Sequence, residues 1–417
     1  MHNSTKYCRE SEKSWPTQTI RLIRGAVLAT AFFVAATTAS RAQAYQRLHQ
    51  KATVVDTHND FPNKSVEYGY LFEQSLQGKT HSDLGRMKKG GLDVQVFSIW
   101  CDGAYGMGKG FARANRLIDS VQAWVARNPA DMMLVKTPAD LKKAVKQHKL
   151  ATMMGVEGGH MIEDNLGYLE QLYGRGVRYM TLTWNNSTSW ASSAQDESGN
   201  KVPNAKAGLN DFGKQVVQRM NELGMMVDLS HVGEQTFWDA INITTKPVIV
   251  SHSCAHALCP VFRNLKDDQI KAVGKNGGVI HLNFYSGFLD SSFMTRSRAF
   301  NQAHKAERDS LRKINPEPYF ADEYLFERYP EEVKNLRPPL SLLLDHIDHI
   351  VKLVGVDHVG LGSDFDGISS APQQLDDVAA YPLITKGLLE RGYSKKAVRK
   401  ILGENFIRVF QANSKLP

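Results

Sequence analysis

Short apolar runs recur along the chain and alternate with stretches whose apolar residues repeat at the spacing of an amphipathic helix. We predict strands in the apolar runs Thr53–Thr57, Val94–Trp100, Ala151–Val156, Arg178–Trp184, Met225–Ser230, Val248–Ser251, Gly278–Phe284 and His358–Ser363. The helical stretches between them include Ala112–Asn128, Leu166–Arg175, Gly213–Leu223 and Asp267–Lys275. Strands that alternate with helices form parallel sheets, and eight such strands close a barrel. The pattern therefore predicts an α/β fold, a (β/α)8 TIM-like barrel.

One segment, residues 291–339, interrupts this alternation because it is charged, aromatic and poor in strand-forming runs. Two helix-like stretches lie within it, Ala299–Lys313 and Ala321–Asn335. Since the segment follows the seventh predicted strand, we expect a helical insertion on the seventh βα loop. A lid, an oligomer contact and a plain excursion on the surface are all compatible with it.

Residues 1–44 have the pattern of a secretory signal peptide. Basic residues precede an apolar run that begins at Gly25, and Ala42-Gln43-Ala44 is the small-x-small sequence that signal peptidase cleaves. A retained membrane anchor is the alternative, but the run is shorter than the ~20 apolar residues that span a bilayer. We therefore expect cleavage after Ala44, a periplasmic or secreted protein without a stable membrane anchor, and one barrel domain over residues 45–417.

Charge and cysteine content narrow the classes of function. The net charge is +8, and residues 1–44 carry six basic and two acidic groups, so their removal lowers it by four. Such a small excess, interleaved with acidic residues, argues against a nucleic-acid partner. Cys101, Cys254 and Cys259 follow the leader, and an odd number allows at most one intrachain disulfide. The Cys254–Cys259 spacing could belong to a zinc knuckle, but without a second pair we expect buried thiols.

Five of the predicted strands end in polar residues that can bind a metal ion. His58 and Asp60 are two residues apart at a strand terminus, so both side chains can point the same way. The carboxyl ends of barrel strands share one mouth, where active sites lie. Nitrogen and oxygen donors without thiolate suit a hydrolytic pair of zinc ions bridged by a carboxylate. The candidate ligands at these ends are His58, Asp60, Glu157, His231 and His252.

These strand ends, in this order, resemble the membrane (renal) dipeptidase family of the amidohydrolase-like metal-dependent barrels. The matching motifs are Asp56-Thr-His-Asn-Asp60, Gly155-Val-Glu-Gly-Gly-His160, Val227-Asp-Leu-Ser-His231, Ser251-His-Ser253, Arg263-Asn264, Asn283-Phe-Tyr285 and Gly362-Ser-Asp-Phe-Asp-Gly367. The resemblance extends from about Val54 to Phe410. It implies a zinc-dependent dipeptidase with two zinc ions per chain, a free dipeptide as substrate, possible use of a D-residue at the C-terminal position, and a homodimer.

The resemblance also assigns the metal ligands and an acid–base residue. His58 and Asp60 would hold one zinc ion, His231 and His252 the other, and Glu157 would bridge them. Asp364 would carry a proton from a hydroxide between the two ions to the leaving amine. An alternative role for Asp364 is to support a zinc-bound histidine.

Three further side chains belong to the predicted substrate pocket. Arg263 would clamp the C-terminal carboxylate of the dipeptide with its planar fork, although a surface or helix-capping arginine is the alternative. Tyr285 would line the same pocket, or would simply pack. Trp184 stands where animal members of the family carry the histidine of Thr-Leu-Thr-His, which is thought to position the substrate and to stabilise the tetrahedral intermediate. Trp184 donates one N–H but accepts no proton, and Asn185 or Asn186 could supply the missing donor.

Other departures from the family concern its animal members. The stretch Gln411–Pro417 is not a hydrophobic tail, so the resemblance does not extend to their lipid anchor. Asn186 and Ser187 fall where those members place a cysteine, which would leave Cys101 without its partner.

Trp184 leaves a second hypothesis open, a related amidohydrolase that acts on a lactam, a cyclic amide or an ester. A third hypothesis is an exported binding protein that kept the scaffold without catalysis. The complete set of five ligands together with Asp364 argues against this third hypothesis.

Overall fold

The computed structural model describes residues 44–202, 207–314 and 318–414. Contacts divide the chain into two compact units, Met1–Arg47 and Leu48–Pro417. The described part of the first unit, residues 44–47, is helical. The predicted signal peptide lies outside the described residues except for Ala44, and the cleavage site stays a prediction. Within the described residues, no helix has both the length and the apolar character needed to cross a membrane.

The larger unit is built on parallel strands. The described strands are β1 (Val55–Asn59), β2 (Val94–Trp100), β3 (Met132–Leu134), β4 (Leu150–Glu157), β5 (Val177–Thr181), β6 (Met226–Asp228), β7 (Ile249–Val250), β8 (Val279–Leu282) and β9 (Val359–Leu361). Eight of them are neighbours in the order β1-β2-β4-β5-β6-β7-β8-β9. The amide of Asp60 donates to the carbonyl of Phe365, and the amide of Asp364 donates to that of His58, which joins the two ends of this order. The predicted (β/α)8 barrel is therefore confirmed.

Each of the eight predicted runs overlaps one strand of the barrel, although β1, β4 and β5 extend beyond the predicted bounds. The strand β3 was not predicted, because three residues give no periodicity to recognise. It pairs with the first residues of β4, while β5 pairs with the later residues of the same strand.

Helices follow the strands along the chain. The described α-helices of this unit are Phe61–Tyr68, Leu84–Gly90, Gly110–Arg127, Pro138–Lys146, Leu166–Arg175, Ala194–Ser198, Asp211–Leu223, Glu234–Ile243, Asp267–Asn276, Ser286–Leu289, Phe293–Ala303, Lys305–Ile314, Pro318–Arg328, Pro330–Lys334, Leu340–Val354, Pro382–Glu390, Lys395–Arg399 and Asn405–Asn413. Residues at the helix ends satisfy the backbone groups there. Thr137 and Asp140 form a capping box at the N-terminus of Pro138–Lys146, and Gly224 ends the helix Asp211–Leu223 in the left-handed conformation.

The barrel interior is a packed core. In β2, Val94 and Val96, at even positions, belong to one apolar cluster, whereas Phe97 and Ile99, at odd positions, belong to another. This alternation follows from the period of two along a strand, which sends successive side chains to opposite faces. Every residue of β4 is buried, as expected for a parallel strand that is covered on both faces.

The predicted insertion follows β8, the seventh strand of the barrel. It contains four described helices, Phe293–Ala303, Lys305–Ile314, Pro318–Arg328 and Pro330–Lys334, where the sequence predicted two. Residues from these helices, among them Phe300, Leu311 and Leu325, form an apolar cluster of their own. The insertion is therefore a small folded layer and not an extended loop.

Candidate metal centre

The five predicted metal ligands lie together at the carboxyl ends of the strands, and all five are buried. Glu157 is at the centre. Its Oε2 is 3.2 Å from His58 Nε2, while its Oε1 is 2.9 Å from His231 Nε2 and 3.4 Å from His252 Nε2. His58 Nε2 is also 3.5 Å from Asp60 Oδ2. The two oxygens of Glu157 thus face two separate groups of ligands, which is the arrangement of a bridging carboxylate.

Sharp backbone turns bring these side chains together. His231 and Asp364 have φ values of 62° and 63°, in the left-handed region that most residues avoid. Gly158, directly after Glu157, has a φ of 109°. A Cβ on Gly367 would lie 2.3 Å from Asp60 Oδ2 and 2.7 Å from Asp364 Oδ1, so glycine is required there for the backbone to approach both carboxylates.

The proton of the His58 ring is directed away from Glu157. His58 Nδ1 is 2.8 Å from the hydroxyl oxygen of Tyr179, and that hydroxyl donates its own proton to the carbonyl of Thr57 at 3.0 Å. The Tyr179 oxygen therefore accepts a proton from His58 Nδ1. This leaves Nε2 as the nitrogen that faces the carboxylates.

The rings of His231 and His252 are oriented in the same way. His231 Nδ1 is 3.0 Å from Asn185 Oδ1, which can only accept. His252 Nδ1 is 2.7 Å from Ser251 Oγ, whose proton is donated to Asp228. Both rings therefore hold a proton on Nδ1 and present an Nε2 lone pair to the centre.

This arrangement fits a cation. The Nε2 atoms of His231 and His252 are 3.0 Å apart with both lone pairs turned inward, beside the carboxylate of Glu157. Burial lowers the pKa of His231 to about 3 and also lowers the pKa of His252, so neither ring supplies a positive charge. Neutral imidazoles and carboxylates without thiolate are donors that zinc accepts.

His58 shows the same demand for positive charge. Burial by itself lowers the pKa of His58, but electrostatic interactions with Tyr179, Glu157 and Asp60 outweigh the effect of burial and raise the pKa well above its usual range. The carboxylates thus draw a proton to the one ring that lies between them. A metal ion at this position would replace that proton.

Asp364 lies beside this centre and is fixed by a neighbouring strand end. Its Oδ2 accepts a hydrogen bond of 2.8 Å from Asn283 Nδ2. It also shares a cluster of potential ligand atoms with His58 and Asp60. Burial raises its pKa well above the usual range, and the charges of Asp60 and Glu157 add to that rise against the opposing effect of His58. A carboxyl group so placed can hold and release a proton.

Arg263 is buried, so it is not a surface arginine. It donates to Ser253 Oγ from Nη1 and to the carbonyl of His252 from Nη2, both at 3.3 Å. Its guanidinium lies 5.2 Å from the ring centre of Phe288. Among the described residues no acceptor binds its Nε. Burial lowers its pKa to about 10, although Asp364 and Glu157 act in the opposite direction.

Tyr285 lies between the barrel and the insertion. Its ring packs edge-on against Phe288, at a centroid distance of 5.0 Å, and against Phe293 of the insertion, at 5.8 Å. Burial raises its pKa to about 12. These contacts give Tyr285 a packing role whether or not it also lines the pocket.

Trp184 is partly exposed beside the metal centre. Its ring meets Trp100 edge-on, with centroids 5.0 Å apart, and lies 6.4 Å from His231. Asn185 accepts the His231 proton, while Asn186 approaches Gly103 closely enough to leave no room for a Cβ there. The two asparagines therefore lie in different surroundings, and Asn185 is the one in contact with a candidate ligand.

The remaining predictions for cysteine hold in the described structure. Cys101, Cys254 and Cys259 are free and buried. Burial raises the pKa of Cys101 to about 12. Neither a disulfide nor a thiolate metal site involves these three residues.

Four residues orient the candidate ligands, and of these only Asn185 was considered from the sequence, as a possible replacement donor for the substrate. They are Tyr179, Asn185, Asp228 and Ser251. The only signal for them was their position in or next to the strand-end motifs, because their partners lie on neighbouring strands and not at a fixed spacing along the chain.

A family model described as membrane dipeptidase (peptidase family M19) matches residues 42–416. An uncharacterized dipeptidase of Schizosaccharomyces pombe is 33% identical to the chain over 388 residues, which cover 88% of this chain and 82% of that protein.

Solved structures share the fold. The probable dipeptidase PvdM from Pseudomonas aeruginosa has a TM-score of 0.73 at 24% identity and covers 90% of this chain and 98% of its own. A metallo peptidase from Rhodobacter sphaeroides, liganded with a phosphinate mimic of the dipeptide L-Ala-D-Ala, has a TM-score of 0.71 at 23% identity, covering 87% and 99%. An amidohydrolase from Pseudomonas aeruginosa has a TM-score of 0.66 at 22% identity, covering 88% and 98%.

Proposed function

Since the chain belongs to the membrane dipeptidase family of metallopeptidases, we propose that it hydrolyses the peptide bond of free dipeptides at a centre of two zinc ions. The observation that carries this proposal is the position of Glu157, whose two oxygens face separate groups of ligands. In this proposal His58 and Asp60 would hold one ion, His231 and His252 would hold the other, and Glu157 would contribute a ligand to both.

The chemistry requires activation of water and protonation of the leaving amine. When bound, the zinc ions polarise the scissile carbonyl and lower the pKa of the attacking water. Asp364 accepts a proton from that water and transfers it to the nitrogen as the C–N bond breaks. The hydrogen bond from Asn283 Nδ2 fixes Asp364 Oδ2, which leaves Oδ1 for the proton transfer.

Arg263 sets the length of the substrate. A guanidinium that is buried beside the metal centre, with an unused donor at Nε, is suited to the C-terminal carboxylate of a dipeptide. A longer peptide would place its carboxylate too far from the scissile bond to reach both Arg263 and the metal ions. The enzyme therefore acts on dipeptides and not on longer chains.

The C-terminal residue of the substrate includes D-amino acids in this proposal. The support is the Rhodobacter sphaeroides structure, which is liganded with a mimic of L-Ala-D-Ala.

A panel of L,L and L,D dipeptides with matched tripeptides, assayed together with metal analysis by atomic emission, tests the proposal. We expect about two zinc ions per chain, cleavage of dipeptides and no cleavage of the tripeptides. A metal-loaded protein that cleaves none of the dipeptides would contradict it.

A second candidate function is hydrolysis of a lactam, a cyclic amide or an ester. The observation that favours it is the aromatic wall formed by Trp184 and Trp100 beside the metal centre, where a ring could stack. Trp100 Nε1 is also buried there without an acceptor among the described residues. If the same preparation opens lactams or lactones and ignores the whole dipeptide panel, this candidate replaces the first.

A further inference from the structure

Asp228, at the end of β6, is fully buried and its carboxylate accepts four hydrogen bonds. Its Oδ1 accepts from the amides of Ser230 at 3.1 Å and Ser251 at 2.8 Å. Its Oδ2 accepts from the hydroxyls of Thr181 and, at 2.6 Å, Ser251. Asp228 is a short distance along the chain from His231 and contacts none of the ligand nitrogens itself. Its link to the centre passes through Ser251.

The direction of each hydrogen bond in this link is fixed by chemistry. An ionised carboxylate only accepts, so the single proton of the Ser251 hydroxyl is committed to Asp228. Ser251 Oγ, 2.7 Å from His252 Nδ1, is left to accept. His252 therefore carries its proton on Nδ1, and its Nε2 has a free lone pair.

We propose that Asp228 is a positioning residue for the metal centre, acting through Ser251 to hold His252 in the tautomer that can bind metal. This inference rests on the proposed function, since it deepens the role of His252. An amide at position 228 would reverse this chain of hydrogen bonds, because its NH2 group would donate to Ser251 Oγ. The Ser251 proton would then turn to His252 Nδ1 at 2.7 Å, which is closer than the other available acceptor, Ser230 Oγ at 3.2 Å. The ring proton would move to Nε2, where it blocks a metal ion.

Asp56, at the end of β1, supplies a matched control. It is also fully buried and accepts four hydrogen bonds, from the amides of His58 and Ser363 and from the hydroxyls of Ser363 and Tyr381. Among the described histidines, no imidazole nitrogen contacts Ser363 Oγ, and the proton of His58 is held by Tyr179 instead. The substitution Asp56→Asn therefore disturbs an equivalent hydrogen-bond network without moving the ring proton of any candidate ligand from Nδ1 to Nε2.

The first test reads the tautomer directly in the metal-free wild-type protein by nitrogen-15 NMR of labelled histidines, with the His252 signal assigned by its shift in Ser251→Ala. We expect the Nδ1–H form of His252. An Nε2–H form would overturn the proposal, and this measurement requires no variant of Asp228 to fold.

The second test compares metal affinity by competition with a chromophoric chelator. Loss of a group that orients a ligand lowers affinity about 10- to 100-fold. We expect a loss of at least that size for one of the two ions in Asp228→Asn and a smaller change in Asp56→Asn. Equal losses in the two variants would show a merely structural role and overturn the proposal.

The double variant Asp228→Asn/Ser251→Ala best distinguishes control of the His252 tautomer from a merely structural role of Asp228. Removing the Ser251 hydroxyl removes the group that forces the proton onto Nε2, so we expect the double variant to bind metal more tightly than Asp228→Asn alone. A structural role predicts the opposite, a further loss. Failure of the wild-type protein to hold two ions would refute the proposed function, whereas the tautomer of His252 would still decide the role of Asp228.

Discussion

Glu157 illustrates how one residue can determine the whole centre, because one of its oxygens faces His58 and the other faces His231 and His252. In Glu157→Gln one bridging oxygen becomes an NH2 group, which repels a cation. We expect turnover to fall about 100-fold or more and the zinc content to drop below two per chain. Atomic emission and dipeptide hydrolysis, measured on the same sample, check this. A variant with full zinc content and wild-type kcat would exclude the bridging role.

A substitution of Asp364 should show whether this residue serves proton transfer or metal binding. In Asp364→Asn the hydrogen bond from Asn283 has to rearrange, but the five ligands remain. General acid–base catalysis contributes about 10²- to 10⁴-fold, so we expect kcat to fall by that factor with zinc content unchanged. If zinc is lost in parallel with kcat, Asp364 supports a ligand instead, which is the alternative considered from the sequence.

Loss of Arg263 should raise KM, because we propose that this residue binds the C-terminal carboxylate of the substrate. Hydrogen bonds to a charged group contribute about 1.5–3 kcal/mol, so Arg263→Gln should weaken the binding of a dipeptide about 10- to 100-fold. The matched control is a dipeptide with an amidated C-terminus, for which wild type and variant should differ little. Equal losses with both substrates would place the effect of Arg263 in the fold and not in carboxylate binding.

At the scale of the elements, the connection between β1 and β2 contains Asp93, whose contribution to the free energy of unfolding depends on pH. Asp93 precedes β2, and its Oδ2 accepts from the amide of Val54 at 2.8 Å. Burial raises the pKa of Asp93 to about 6, against the opposing effect of that hydrogen bond. Because the folded protein binds this proton more tightly than the unfolded chain, the contribution of Asp93 to stability improves as pH falls from 7 towards 4.

The variant Asp93→Asn should remove this contribution while retaining an acceptor for Val54. Urea unfolding at several pH values measures it as the difference between wild type and variant, so that the other buried carboxylates cancel. We expect the variant to gain stability relative to wild type at pH 7 and to lose that advantage near pH 4. A difference that does not change with pH would contradict the raised pKa.

Much of the architecture follows from the hydrophobic pattern. The eight strands of the barrel and the insertion after its seventh strand were predictable, since buried parallel strands and amphipathic helices leave strong periodic signals. The four helices of the insertion were not resolved into separate elements, because charged residues there mask the boundaries of short helices. The extra strand β3 was too short to predict.

The candidate site was predictable only in its first layer of residues. The five ligands end strands, and the family resemblance gave them roles. The hydrogen bonds that orient the rings, such as Ser251 to Asp228 and His58 to Tyr179, join residues on different strands. Their pairing depends on the register of the sheet, which the chain does not display as a motif.

At the scale of the whole molecule, the three cysteines test both the packing and the proposed route of export. Cys101, Cys254 and Cys259 are free and buried. For protein cleaved after Ala44, which lacks Cys8, we expect three thiols to react with a thiol reagent such as DTNB in denaturant and almost none in the native state. Fast reaction in the native state would show that the barrel opens near one of them.

The connection between the first and last strands of the barrel has a consequence for biosynthesis. Asp56 on β1 is held by Ser363 and Tyr381, which are made more than three hundred residues later. The chain up to His252 contains all five candidate ligands but does not yet hold them in place. The amide of His58 donates to Asp56, and the Asp56 carboxylate is fixed only by the later residues. A nascent chain therefore offers no finished site, and a metal ion can bind at all the candidate ligands only after the C-terminal part has been made. If the chain is exported unfolded, as the predicted signal peptide implies, the metal supply outside the cytoplasm would determine which ion is bound.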